Sequence, residues 1–303
     1  MLPDARQSHS DGGTSVMKID AGTILCASLG NPNRRSRAPM MHNAGFSALD
    51  LPYVYLAFEP DPDGLSDVFR GMRGMGIRGF SITKPFKESV LSHLDELDSS
   101  VKRIGAANAV VNDGARLVGY NTDWIGAVEA VSEALSGVRV HTKEASPLNG
   151  RVVFVVGAGG AAKAISYGLS EYGAEVTMFN RTTEKARESS RQLGIAFGGD
   201  LTDLEDAVRS TPHCILINAT SIGMANTEEA EGTVISIDSL RTVDLVFDAV
   251  ITPRETTLLR EAREAGCATV EGVRMLLYQG LSIFELFTGC EAPVEAMWSV
   301  LID

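Results

Sequence analysis

The sequence predicts an α/β protein of two domains, and three observations predict it. Short β-branched runs alternate with helix-period stretches along most of the 303 residues. A glycine-rich turn at 157–160 sits between an apolar run and an Ala-rich stretch, restarting the alternation midway. The C-terminal helical stretches have no strands of their own, so they are expected to return and complete the first domain. A chain of this length suffices for two such units with a cleft between them.

In the first unit, strands are expected at Thr23–Ser28, Tyr53–Phe58, Gly79–Ile82, Ala109–Val111 and Leu117–Gly119. Helices are expected at Pro39–Leu49, Leu65–Met75 and Lys87–Leu94. Trp124, Val128, Val131 and Leu135 fall on one face of a further helix, which ends in a polar linker, Ser136–Gly150. The second unit begins at Arg151, with strands at Val152–Val156, Glu175–Phe179, Ile215–Asn218 and Val246–Asp248 and helices between them. An apolar helix, Val273–Phe287, and a shorter one from Pro293 close the chain. The resulting division is 20–123 with 271–303 as a discontinuous substrate-binding unit, and 124–270 as the second domain. Residues 1–19 are polar, lack the apolar centre of a signal peptide, and read as a flexible extension.

Composition narrows the function classes. Hydrophobic residues make up 44% and charged residues 22%, ordinary for a globular protein. A net charge of −12 argues against nucleic acid and against anionic membrane surfaces. No apolar stretch reaches the ~18 residues that span a bilayer. Cys26, Cys214, Cys267 and Cys290 form no CxxC pair and no metal-ligand spacing, which fits buried thiols in a reducing compartment. The expectation is a cytoplasmic protein, monomer or homodimer, acting on a small molecule without a metal.

The stretch RVVFVVGAGGAAKAI is a strand, a tight turn and a helix start, with Gly157, Gly159 and Ala162 fitting G-x-G-x-x-A and Gly160 adding slack. Glycines let the backbone approach a pyrophosphate, whose charge then sits on free N–H groups at a helix N-terminus. The strand before it and the helix after it are the context a dinucleotide-binding, Rossmann-type domain requires. About 20 residues on, where an NAD site places an acid on the ribose, this chain has Asn180, Arg181 and Thr182, then Lys185. Two cations and no carboxylate suit a 2′-phosphate, so NADP is the expected cofactor, with NAD as the alternative.

Two segments of the first unit are too polar for structure alone. In GFSITKPFKE a strand runs into Thr83, Lys84, Pro85, Phe86 and Lys87; in VGYNTDWIGA, Asn121 and Thr122 lead to Asp123 at a helix start. Reduction of a ketone needs a proton donor for the developing alkoxide, and the reverse reaction needs an acceptor. A lysine serves if its pKa falls from ~10.4 towards neutrality or if it relays a proton, and a neighbouring carboxylate orients it. Taken separately, Lys87 also reads as a solvated lysine and Asp123 as a helix N-cap.

Eight short motifs in register resemble those of shikimate dehydrogenases: G-N-P-x-x-x-S from Gly30, S-I-T-K-P-F-K from Ser81, I-G-A-A-N from Ile104, Y-N-T-D from Tyr120, G-A-G-G-A from Gly157, N-R-T from Asn180, N-A-T-S-I-G-M from Asn218, and Gln279. The resemblance spans about residues 22–290. It implies NADPH-dependent reduction of 3-dehydroshikimate to shikimate, reversibly and without a metal, in the chorismate pathway of aromatic amino acid biosynthesis. It implies Lys87 and Asp123 as the catalytic pair, Ser36 on the substrate carboxylate, and Thr83, Asn108 and Gln279 on the ring oxygens. It implies cofactor contacts from Gly157, Ala158, Gly159, Gly160 and Ala161, from Asn180, Arg181, Thr182 and Lys185, and from Thr220 and Met224 near the nicotinamide.

The chain departs from that pattern at several positions. The family pairs two serines as S-x-S; here Ser36 is followed by Arg37 and Ala38. A hydrogen bond to a charged group is worth ~1.5–3 kcal/mol, or about 10- to 150-fold in binding. Nearby Arg34, Arg35 and Arg37 are the available substitutes. Ile251 stands where many members have a tyrosine, Ser81 replaces a common asparagine, and the C-terminal stretch resembles the shikimate dehydrogenase-like branch. Two alternatives follow: a sister dehydrogenase preferring quinate or another hydroxylated cyclic acid, and a non-catalytic shikimate-binding regulatory module.

Overall fold

The computed structural model describes residues 19–302 apart from 115 and 139–141; of the expected extension, all but Ile19 lies outside the described residues. Two six-stranded sheets carry the fold, each flanked by helices.

The first sheet comprises β1 (Ile24–Leu29), β2 (Tyr53–Phe58), β3 (Gly79–Ile82), β4 (Glu96–Leu97), β5 (Ala109–Asn112) and β6 (Leu117–Tyr120), ordered β2-β1-β3-β5-β6-β4. β1 pairs in parallel with β2 and β3, whereas β5 runs antiparallel to both β3 and β6. Connections α1 (Ala38–Ala48) and α2 (Leu65–Gly74) produce the parallel part, and the tight turn closed by Asp113 N–H to the Arg116 carbonyl (3.1 Å) forces the antiparallel pair. α3 (Ser99–Ile104) then links β4 to β5.

The helix expected at Lys87–Leu94 reduces to a 3₁₀ segment, Ser89–His93. The Lys87 carbonyl, which an α-helix would use four residues on, instead accepts from Ala107 N–H at 2.8 Å. Ser89 and Ser92 donate their hydroxyls to the Phe86 and Ser89 carbonyls at 3.3 and 3.2 Å. That side-chain competition favours short turns over a helix.

α4 (Asp123–Ser136) leads to the second sheet: β7 (Val152–Val156), β8 (Glu175–Phe179), β9 (Ala196–Gly199), β10 (Cys214–Asn218), β11 (Val243–Asp248) and β12 (Ala268–Glu271), all parallel in the order β12-β11-β10-β7-β8-β9. Its helices are α5 (Gly160–Glu171), α6 (Thr183–Leu193), α7 (Leu201–Ser210), α8 (Ile237–Leu240) and α9 (Thr257–Ala265). The chain winds outward in both directions from β7, so the order reverses between β7 and β10. Loops after those two strands diverge there and leave a crevice at the strands' carboxyl ends, where α/β sheets hold ligands.

α10 (Gly272–Thr288) and α11 (Val294–Ile302) return to the first unit. Met297 and Leu301 of α11 and Phe284 and Phe287 of α10 are fully buried in one core with Met41 and Phe46 of α1. Arg78 fixes this return, donating to the carbonyls of Phe287 (2.7 Å), Leu286 (3.2 Å) and Asn112 (2.9 Å). A cation at the last carbonyls of α10 also opposes the negative end of the helix dipole. α4 crosses α10 so closely that a Cβ on Gly126 would lie 2.7 Å from the Met275 carbonyl oxygen, so only glycine fits. Among the described residues no helix is long and apolar enough to cross a membrane.

Candidate active site

Lys87 and Asp123 meet. The Lys87 ammonium lies 2.5 Å from Asp123 Oδ2, with the two side chains 19% and 7% exposed. Lys87 comes from the loop after β3, and Asp123 is the first residue of α4, where an acid is favoured by the helix dipole. The alternative reading of Asp123 as a helix N-cap does not hold: Thr122 occupies the N-cap position, and the Asp123 carboxylate faces Lys87 and Asn108.

Asn108 organises the floor of this site. Its Nδ2 lies 3.0 Å from Asp123 Oδ1, 2.9 Å from Thr122 Oγ1 and 3.1 Å from Gln279 Oε1. Three acceptors compete for two N–H hydrogens, so an incoming ligand oxygen exchanges with one of them at little loss. Asn108 Oδ1 accepts from Thr122 N–H at 2.6 Å, and Thr122 Oγ1 donates to the Gln279 carbonyl at 3.0 Å, tying α4 to α10. Asn121 donates to the Ala106 carbonyl and accepts from Asp123 N–H.

Thr83 follows β3, and Ser36 lies on the loop that precedes α1. Gly30 packs on Thr83, and Asn31 N–H donates to the Lys84 carbonyl at 3.1 Å, which holds loop 30–36 beside 83–84. Ser36 Oγ accepts from Ala38 N–H at 3.3 Å at the start of α1. Of the three nearby arginines, Arg34 is engaged by Glu59 at 3.0 Å and Arg37 donates to the Leu301 carbonyl at 2.5 Å. The Arg34 side chain is 89% exposed, so its pair with Glu59 is a weak surface contact. Ser81 shares a 2.5 Å hydrogen bond with the Tyr55 hydroxyl, so it is consumed inside the domain.

The glycine turn reaches this pair. Gly157 follows β7 at φ 124, and a Cβ there would sit 3.0 Å from the Ala219 carbonyl oxygen of the facing loop. Gly159 forms the N-cap of α5 with open space beyond its Cα, leaving room for a phosphate against the free N–H groups of the first turn. A Cβ on Gly160 would touch the Lys87 side chain at 3.6 Å, so turn and lysine are in van der Waals range.

The residues expected on the cofactor follow β8 and β10, the two strands that flank β7 in the sheet. Asn180, Arg181 and Thr182 follow β8, with Asn180 Nδ2 donating to the Thr182 carbonyl, and Lys185 is exposed on α6. Arg181 pairs with Glu229 at 3.0 Å. Thr220 and Met224 lie on loop 219–224, where Thr220 Oγ1 donates to Asn218 Oδ1 at 2.7 Å. The donor set of glycine turn, helix N-terminus and basic strand end fits a phosphorylated dinucleotide.

Sequence reasoning missed Asp248. Fully buried at the end of β11, it accepts from Asn218 Nδ2 (3.0 Å), Val250 N–H (3.0 Å) and Thr256 Oγ1 (2.6 Å), joining loop 219–224 to loop 249–256. Burial pushes its carboxyl up to about 6, against those three hydrogen bonds. An acid closing an apolar strand, as in VDLVFD, was the available signal.

Family models of the shikimate dehydrogenase substrate binding domain and the shikimate 5′-dehydrogenase C-terminal domain match residues 29–110 and 272–302. The shikimate dehydrogenase (NADP(+)) of Thermococcus kodakarensis is 42% identical over 271 residues, covering 89% of this chain and 93% of that one. The chloroplastic bifunctional 3-dehydroquinate dehydratase/shikimate dehydrogenase of Arabidopsis thaliana is 40% identical over 293 residues, 94% of this chain but 47% of that longer protein. A crystal structure of a shikimate dehydrogenase in complex with NADP+ superposes with a TM-score of 0.85 at 34% identity, covering 96% of this chain and 99% of the other.

Proposed function

Because the chain belongs to the shikimate dehydrogenase family, we propose that it catalyses the reversible NADPH-dependent reduction of 3-dehydroshikimate to shikimate. The observation that carries this reading is the buried Lys87–Asp123 pair at 2.5 Å, with Gly160 of the glycine turn against the lysine.

A bound NADPH would supply the hydride for the ring carbonyl carbon. Lys87 gives a proton to the oxygen of that carbonyl and takes it back in the oxidative direction. Asp123 orients the ammonium and balances its charge, which matters more in a site from which water is largely excluded. Asn108, Thr83 and Gln279 hold ring oxygens, and Ser36 holds the carboxylate. Gly157 through Ala161 would hold the pyrophosphate, Asn180 through Lys185 the 2′-phosphate, and Thr220 and Met224 the nicotinamide end. We assign substrate binding to 20–123 with 271–303 and cofactor binding to 124–270. The enzyme is read as a cytoplasmic monomer or homodimer acting on a small carboxylic acid.

Steady-state kinetics with shikimate and quinate, each with NADP and NAD, test the reading. The highest kcat/KM is expected for shikimate with NADP. A preference for quinate moves the assignment to the sister activity. Shikimate binding without cofactor reduction leaves a non-catalytic module.

A further inference from the structure

Glu88, the residue after Lys87, reaches across the cleft. Its Oε1 lies 2.6 Å from the ammonium of Lys163, on the first turn of α5, three residues beyond Gly160. The Lys163 side chain is 10% exposed and that of Glu88 58%. The Lys163 ammonium also sits 3.8 Å from where a Gly105 Cβ would be, at the carbonyl end of α3, a second attraction for a cation. Beneath the pair, Ile104, Ala106 and Ala164 are fully buried together, and Gln192 donates to the Arg103 carbonyl at 2.9 Å. An apolar floor is nondirectional and tolerates sliding, whereas an ion pair with one buried partner has one geometry. The pair therefore joins the lysine loop and the glycine-turn helix at adjacent positions on each side, Glu88 beside Lys87 and Lys163 just beyond Gly160.

We propose that Lys163 is a positioning residue, which through Glu88 sets how far Lys87 stands from the cofactor turn. This rests on the reading of Lys87 as the proton donor. A displacement of about 1 Å between reacting groups costs on the order of 10²-fold in rate, so a tie adjoining both partners bears directly on turnover.

The test uses the full chain as Glu88→Gln, Lys163→Met, the double variant and the charge exchange Glu88→Lys/Lys163→Glu. Each single variant is expected to lower kcat about 10-fold with KM for shikimate within about twofold, the double no more than either single, and the exchange to recover to within about threefold. Spin labels at Ser66 on α2 and Asp206 on α7, both exposed, give a readout without turnover. The ligand-free wild type is expected to show one narrow distance, Lys163→Met a broadened one, and the charge exchange a narrow one again. Unchanged distances with single-variant losses that multiply in the double variant overturn the proposal. Glu88→Gln removes only an exposed partner, so it keeps the test valid if Lys163→Met fails to fold. Lys87→Met judges the underlying reading separately. If it still turns over, that reading fails; if it is inactive while Glu88 and Lys163 show no coupling, only the positioning role falls.

Discussion

Lys87 and Asp123, 36 positions apart, form a 2.5 Å ion pair whose carboxylate is also held by Asn108 at 3.0 Å. One oxygen of Asp123 is thus given to the lysine and the other to the amide, which leaves the ammonium with a defined direction and two unspent hydrogens for a substrate oxygen.

Lys87→Met removes the proton donor, and kcat is expected to fall about 10²- to 10⁴-fold. Asp123→Asn keeps the shape and the contact with Asn108 but loses the charge, with a smaller loss of about 10²-fold. Single-turnover cofactor oxidation and the thermal midpoint of each variant check this. A Lys87→Met enzyme with near-native kcat sinks the assignment.

Arg181 is 78% exposed at its side chain and rests on Glu229. An exposed pair of this kind is worth about 0–1 kcal/mol, so a 2′-phosphate displaces it readily. Arg181→Ala is expected to raise KM for NADP about 10-fold and leave KM for NAD unchanged. Glu229→Gln is expected to lower KM for NADP by about twofold to fivefold. Equal effects on both cofactors place the 2′-phosphate elsewhere.

Ala38 begins α1 two residues after Ser36, and Arg34 and Arg37 are held by Glu59 and the Leu301 carbonyl. Restoring the second hydroxyl with Ala38→Ser is expected to raise kcat/KM for shikimate about 10-fold, the value of one charged hydrogen bond. No gain in kcat/KM shows that the carboxylate is bound by other groups.

His42 is fully buried, stacked 4.4 Å from Tyr55, and neither ring nitrogen has a hydrogen-bond partner. Burial lowers its pKa to about 3. Between pH 6.5 and 3 the unfolded chain therefore binds a proton that the folded chain refuses, and stability falls as pH falls through that window. His42→Phe is expected to remove this sensitivity, gaining about 2 kcal/mol relative to wild type at pH 5 and less at pH 8. Urea melts at both pH values measure it; a pH-independent difference refutes the assignment.

The sequence by itself determined the parts whose information is local. An apolar run, a glycine turn and an Ala-rich helix at 152–165 are legible because strand, turn and helix start each follow from neighbouring residues. The same holds for Lys87 and Asp123 as members of short polar motifs. The helix expected at Lys87–Leu94 failed because the Lys87 carbonyl is taken by Ala107, a partner 20 positions away that no periodicity reveals. β4 with two residues and α3 with six are too short to display a period.

Only the tertiary structure decided which distant side chains share a site. Gln279 reaches Asn108 across 171 positions because α10 returns to cross α4 at a glycine. Glu88 finds Lys163, Asp248 gathers two loops, and His42 loses all its hydrogen-bond partners through packing alone. The physical reason is that burial and long-range pairing are properties of packed surfaces, set by every element at once, whereas propensity and turn chemistry act within a few residues.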